Sequence, residues 1–300
     1  MSRKSKKNAH DTVDASGDLG GQGYSSSTGN AEDSSRGSVP VVTLEELESD
    51  KYNMNHPYRG IAIIINNQYF DEHLKLSNRS GTEVDGLALY AVFQEMGFSV
   101  AVHENQTVTE MVEILQNASK EDEYHSHSDC FMCAILSHGK EGTVYGTDGA
   151  VELENLLKYF KGNACPGLVG KPKIFFIQAC QGDNFDKGVS MNVVDAKGFM
   201  PNENITKIPT QADVLIAYSS VPGYYCWRNS RNGSWFIQAL TEVLQKSWKK
   251  CDLLTILTRV NRKVAFDFKS ETSNPSINDM KQIPMFTSML TKQVCFTPKE

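Results

Sequence analysis

Apolar positions in this chain cluster into short, nearly unbroken runs, and polar positions separate them with a different period. The runs fall at residues 60–65, 98–102, 131–136, 174–177, 213–218 and 285–290. Runs this short and this uniformly apolar predict strands that are buried on both faces. Between them the spacing becomes helical. Val84, Leu87, Tyr90, Ala91 and Gln94 predict an amphipathic helix over 82–96, with Gly97 as its stop. Thr107 and Glu110 form a capping box for a helix to about residue 118. A hairpin is expected around Thr147-Asp148-Gly149, a helix near 153–160, and two longer helices over 233–248 and 252–268. Six strands alternating with about five helices predict an α/β fold, a three-layer α/β/α sandwich around a six-stranded, mostly parallel central sheet.

Two stretches interrupt the pattern. Residues 1–45 are rich in Ser, Gly, Asp and Asn and nearly lack large apolar side chains, so disorder is expected there. Residues 182–210 are polar and aperiodic, and a loop this long inside a compact domain is either functional or disordered. Composition narrows the function classes. A net charge of −6 and a pI near 5.7 argue against nucleic acid or an anionic membrane as the main partner. The basic opening at residues 3–7 is followed by no apolar segment, so it does not read as a signal peptide. No run approaches the ~18 apolar residues of a membrane span. Seven cysteines, an odd count, read as reduced thiols in a cytoplasmic protein.

The chemistry concentrates at two strand ends. Gln178-Ala179-Cys180-Gln181-Gly182 follows one apolar run, and Ser137-His138-Gly139 follows another, 42 residues upstream (138 against 180). A thiol and an imidazole leaving neighbouring strands at the same end make a nucleophile and its acid–base partner. Arg79 lies just before the first helix and Arg228 follows the fifth strand, so both reach the carboxyl edge of the sheet, where open α/β folds bind ligands. With the Gln178 amide they form a pocket suited to a short carboxylate, which a planar guanidinium holds through both oxygens. The remaining cysteines read as structural. Cys130 and Cys133 belong to one strand and point to opposite faces, so they do not read as a zinc pair. His125 and His127 read as solvated loop residues. No Gly-rich phosphate loop follows any strand, which disfavours a nucleotide-binding protein.

The pentapeptide, with a histidine upstream on a second strand, is the local pattern of caspases, and the chain resembles a short-prodomain effector caspase from about residue 52 to 296. The resemblance implies an aspartate-specific cysteine endopeptidase acting in apoptosis, made as a zymogen and needing neither metal nor organic cofactor. It assigns Cys180 as nucleophile, His138 as acid–base, and the Gly139 and Cys180 backbone N–H groups as oxyanion donors. Arg79, Gln178 and Arg228 correspond to the clamp on substrate aspartate. Tyr225 and Trp227 resemble the walls for the preceding residue, and Asn229 and Trp235 the subsite four positions upstream of the cut. Residues 269–280 match the effector specificity loop in length but hold no aromatic, so altered preference is expected there. Cys226 stands where serine is common.

The same resemblance divides the chain into a prodomain over 1–45, a large catalytic subunit over 52–195, a processing linker over 182–210 and a small subunit over 196–300. Asp195 is the favoured linker cut, with Asp186 an alternative, and Asp14 and then Asp33 are the prodomain candidates. The implied partners are protein substrates with exposed aspartates, an upstream initiator caspase and a second copy in a homodimer. Cutting after Asp195 exposes Ala196-Lys197-Gly198-Phe199, which resembles the tetrapeptide captured by inhibitor-of-apoptosis proteins. Two rival readings follow from the same residues. A relative cutting after basic residues would need acids in the pocket, and a silent homologue would lack the cysteine, the histidine or the clamp.

Overall fold

The computed structural model describes residues 11–13, 48–182, 184–186 and 210–299. Its centre is a six-stranded sheet of β2 (Ile61–Asn66), β3 (Ser99–Glu104), β4 (Phe131–Leu136), β8 (Lys173–Gln178), β9 (Val214–Tyr218) and β12 (Met285–Ser288), in the order β12-β9-β8-β4-β2-β3. All neighbours run parallel except β12, which is antiparallel to β9. The expected α/β/α sandwich is the observed architecture.

Two separate apolar clusters, one on each face, explain why the strands read as unbroken apolar runs. In β4, Met132, Ala134 and Leu136 join one cluster, while Phe131, Cys133 and Ile135 join the other. Strand geometry sends alternate side chains to opposite faces, and both faces are covered. The first cluster takes in α1 (Thr82–Glu95), α5 (Trp235–Ser247) and α6 (Leu253–Asp267). The second takes in α2 (Val108–Ser119) and α4 (Leu153–Leu157), with the short α3 (Asp122–Ser126) beside them. Cys130 and Cys133 sit in different clusters, as their spacing requires. No helix among the described residues is long and apolar enough to cross a membrane.

Smaller pieces surround the sheet. The strands β5 (Gly139–Lys140), β6 (Thr143–Tyr145) and β7 (Ala150–Glu152) form an antiparallel ribbon that includes the expected hairpin. The capping box on α2 is present: the Thr107 hydroxyl accepts from Glu110 N, and Glu110 accepts from Thr107 N at 2.8 Å. A second ribbon joins β1 (Asp11–Val13), β10 (Trp227–Asn229) and β11 (Gly233–Ser234).

Three expectations need correction. The first helix does not bury the Val84–Leu87–Tyr90 stripe. Leu87 is 71% exposed, and the packed face is Asp85, Leu89, Val92 and Phe93. Asp85 is drawn inward because its carboxylate accepts from Ser234 N at 2.8 Å and from Ser234 Oγ at 2.6 Å, and a buried carboxylate with two donors is a satisfied one. His125 is not a solvated loop residue. It is buried in α3, its Nε2 is 2.7 Å from Ala118 O, and burial lowers its affinity for a proton. His127 is exposed, as expected. Finally, the stretch 1–45 is not wholly without regular structure, because Asp11–Val13 adds a strand to β10. Thr and Val suit an extended backbone, and a sheet edge supplies the partners that this polar stretch cannot supply for itself.

Candidate active site

The thiol and the imidazole are placed by strand register. β4 and β8 are parallel neighbours with Leu136 opposite Gln178. His138 and Cys180 each come two residues later, so they leave the same edge of the sheet in step. Ser137 N, donating to Gln178 O at 3.1 Å, ties the two exits together. Both side chains are buried. His138 Nε2 lies 2.7 Å from Ser77 O. A carbonyl only accepts, so Nε2 carries the hydrogen and Nδ1 is the basic nitrogen of the neutral ring. Phe70 packs against the imidazole with ring centroids 4.8 Å apart. The Cys180 sulfur receives the backbone N–H of Cys226 at 3.2 Å, and the two sulfurs are 3.4 Å apart. A donor aimed at the sulfur stabilises negative charge on it.

Two glycines make these approaches possible. A Cβ on Gly139 would lie 2.7 Å from Thr143 O, 2.8 Å from the Ala179 Cβ and 3.2 Å from Cys180 O. Only glycine lets this segment lie along Ala179 and Cys180. A Cβ on Gly182 would lie 2.4 Å from the Gly223 Cα, so the last residue of the pentapeptide is set by the loop that passes it. That loop is sewn to the nucleophile's own by Gln181 N to Tyr224 O at 3.1 Å and Gly223 N to Gln181 O at 2.7 Å.

At the same edge of the sheet, three buried polar side chains come from separate stretches of chain. Arg79 donates through Nη1 to Asn67 O at 3.0 Å and to Thr82 Oγ1 at 2.8 Å. Arg228 donates through Nη1 to the carbonyl of Ser80, the residue next to Arg79. Gln178 donates through Nε2 to the Cys226 sulfur at 3.1 Å, two residues before Arg228. Two guanidinium groups held in a low-dielectric setting make a strong local attraction for an anion.

An aromatic wall extends from this point. Phe185 packs on Tyr225 at 4.4 Å and on Trp227 at 5.7 Å. Trp227 stacks on Trp235 at 5.7 Å, and Trp235 on Phe268 at 5.5 Å. A pocket of about 410 Å³ opens at the far end, lined by Asn229, Trp235, Phe268 and Lys269 among others. Phe268 immediately precedes the aromatic-free stretch 269–280 and supplies the ring that the stretch lacks.

The structure therefore gathers Cys180, His138, Gly139, Arg79, Gln178, Tyr225, Trp227, Arg228, Asn229 and Trp235 on one edge of the sheet. Asp186 is half-buried, and its carbonyl accepts from Lys281 N at 2.9 Å. Asp14, Asp33, Asp195 and residues 196–199 lie outside the described residues. Sequence reasoning missed Ser77 and Phe70, which orient the imidazole, and Phe185 and Phe268, which extend the wall. It also missed Gln282, which accepts from Trp227 N at 2.7 Å and donates to Ser219 O at 2.7 Å. Phe185, an aromatic residue in a polar loop, carried the one visible signal among these.

Comparison with known proteins places these features in a family. The caspase-domain family model matches residues 59–295. Caspase-3 of Bos taurus is 45% identical over 255 residues, covering 85% of this chain and 89% of the relative. Caspase-7 of Gallus gallus is 43% identical over 248 residues, covering 82% and 80%. The crystal structure of caspase-1 from Spodoptera frugiperda superposes with a TM-score of 0.77 at 43% identity, covering 84% of this chain and 97% of that one.

Proposed function

We propose, for a chain that belongs to the caspase family and is therefore a cysteine-type endopeptidase of the effector kind, that it cuts proteins after aspartate through Cys180 and His138. The carrying observation is the burial of Arg79, Arg228 and Gln178 at the sheet edge that carries Cys180, with Arg228 bonded to Ser80 O next to Arg79 and Gln178 to the Cys226 sulfur that touches Cys180. A carboxylate entering this pocket gains charge-assisted bonds that a neutral or basic side chain does not. The rival that cuts after basic residues would meet two cations there.

The chemistry follows from the placements. The Cys180 thiolate adds to the scissile carbonyl, and the resulting oxyanion is met by the backbone N–H groups of Gly139 and Cys180. One such fixed donor is worth roughly 10²–10³ in rate. His138, oriented by Ser77, delivers a proton to the leaving amine and then takes one from the water that hydrolyses the thioester. Positioned acid–base help of this kind contributes about 10²–10⁴. Nothing in this sequence of steps calls for a metal or an organic cofactor.

Activation by cutting after Asp195 fits this reading better than cutting after Asp186, whose carbonyl is engaged by Lys281. The chain is then a cytoplasmic zymogen, processed by an upstream initiator caspase and acting in apoptosis. The antiparallel edge strand β12 is the element through which two copies pair, since an uncovered edge invites a second strand. A free Ala196 amine would be the handle for an inhibitor-of-apoptosis protein.

The test is turnover of fluorogenic Asp-Glu-Val-Asp and Asp-Glu-Val-Asn peptides by wild type, Cys180→Ala and Asp195→Ala. Cleavage only after aspartate, abolished in Cys180→Ala, is expected. Asp195→Ala should remain uncut between the large and small subunits and fail to bind an inhibitor domain. Equal cleavage after asparagine would sink the aspartate reading.

A further inference from the structure

The residues expected to bind substrate are already paired with part of this chain. β1 lies antiparallel on β10, with Asp11 opposite Asn229, Thr12 opposite Arg228 and Val13 opposite Trp227. The Thr12 hydroxyl also donates to Arg228 O at 3.1 Å. These partners are the subsite residues Trp227 and Asn229 and the clamp residue Arg228. Strand addition to an exposed sheet edge is a general mode of peptide recognition, in which backbone bonds give affinity and pockets read alternate side chains.

We propose that residues 11–13 are a tethered occupant of the substrate groove, excluding other peptides until the chain is cut after Asp14. The inference rests on the aspartate-protease reading and deepens it. Cys226, the residue before Trp227, touches the Cys180 sulfur through both its backbone N–H and its own sulfur. The residue at position 14 is an aspartate, and Ala15 follows it. The paired strand is thus followed at once by an aspartate, in the sequence Asp-Thr-Val-Asp.

Attachment to the same chain gives the segment its advantage. Residues 14–47 connect β1 to the domain, and so many residues span up to roughly 110 Å when extended, so the groove is reached without strain. A tether of this length presents its end at an effective concentration on the order of millimolar. A segment of modest intrinsic affinity then outcompetes a dilute substrate. Cleavage reverses this. The Cys180 thiolate adds to the Asp14 carbonyl, the Asp14–Ala15 C–N bond breaks, and the Ala15 amine leaves with a proton. Water then splits the thioester and frees the Asp14 carboxylate. Residues 1–14 are now a separate molecule at bulk concentration, and the groove opens.

The experiment uses the full chain carrying Cys180→Ala, which cannot cut itself. Its affinity for a fluorescent peptide of residues 9–18 is compared with that of the same chain also carrying Thr12→Pro and Val13→Pro. The two prolines remove adjacent strand donors, whichever of them faces β10. The double-proline chain should bind the peptide about tenfold more tightly. Amides of residues 11–13 should be protected from hydrogen exchange in the parent chain and released when the peptide saturates it. Equal, measurable affinity with no protection would overturn the tethered occupant alone. Failure of both chains to bind the peptide would overturn it together with the aspartate pocket.

Discussion

Arg59 and Arg79 are both fully buried, yet the fold uses them in opposite ways. Arg59 sits at the amino ends of the strands. Its Nη1 meets Asp129 Oδ2 at 2.6 Å, Lys299 Nζ meets the same oxygen at 2.7 Å, and Nε donates to Met96 O at 3.0 Å. It binds the starts of β2 and β4 to the end of the chain, and its counter-ion is built in. Arg79 sits at the carboxyl ends, held by a carbonyl and a hydroxyl, with Arg228 anchored on the neighbouring carbonyl. A guanidinium paired with a resident carboxylate is structural. Arg79 is oriented at the edge where substrate is expected, and arginine cannot shed its charge by losing a proton.

The comparison is broken most severely at Asp129. Asp129→Ala leaves Arg59 buried without its carboxylate and should cost about 3–5 kcal/mol of stability. Denaturant melts would show the loss, while kcat/KM per folded molecule for an aspartate peptide stays unchanged. A fall in specific activity would show that the two ends of the sheet are coupled. Next in size is Arg79→Ala, for which the effect moves to the substrate. Removing one partner of a buried charge pair costs about 2–5 kcal/mol of binding, so kcat/KM for aspartate peptides should fall roughly 10²–10³-fold or more while the melting midpoint changes little. A variant that melts early but cleaves normally would make Arg79 a structural residue like Arg59.

Lys173 sharpens the contrast as a third buried cation, one that can give up its proton. Its Nζ donates to Leu168 O at 3.0 Å and to Lys171 O at 2.9 Å. Burial lowers its pKa from 10.5 to about 8, against an opposing pull from Asp213. Because the folded value is the lower one, the unfolded chain holds more protons between pH 8 and 10.5, and this group's contribution to stability rises with pH across that window. Below pH 8 the full penalty for the buried charge applies. Relative to Lys173→Met, wild-type stability should gain about 3 kcal/mol from pH 8 to 10.5. Taking the difference cancels the opposing loss from Cys130, Cys133 and Cys165, whose buried thiols resist ionisation. A flat difference across the window would mean that Lys173 is solvated.

Local pattern carried most of the fold. A strand covered on both faces must be apolar throughout, so β2, β4 and β8 announced themselves, and their parallel order followed from the helices between them. It also reached Cys180 and His138, because a cysteine and a histidine just past two apolar runs leave the sheet at one edge whatever the surrounding loops do. The positions of Arg79 and Arg228 were legible for a related reason, since both stand in loops that the alternation of strands and helices sends to that edge.

What the sequence could not determine was decided by contact between distant segments. The face that α1 buries depended on Ser234 satisfying Asp85, and no periodicity within the helix records a partner so far away. His125 was drawn inside by Ala118 O and by the Phe131 ring, although its neighbours in sequence are polar. Phe185 and Phe268 joined the aromatic wall only when their loops met Tyr225 and Trp235. Asp11–Val13 became a strand because β10 offered an edge. Strands and the strand-end chemistry arise from interactions within a few residues, which a sequence states directly. The lining of the groove and its occupant arise from packing between segments, which only the folded chain brings together.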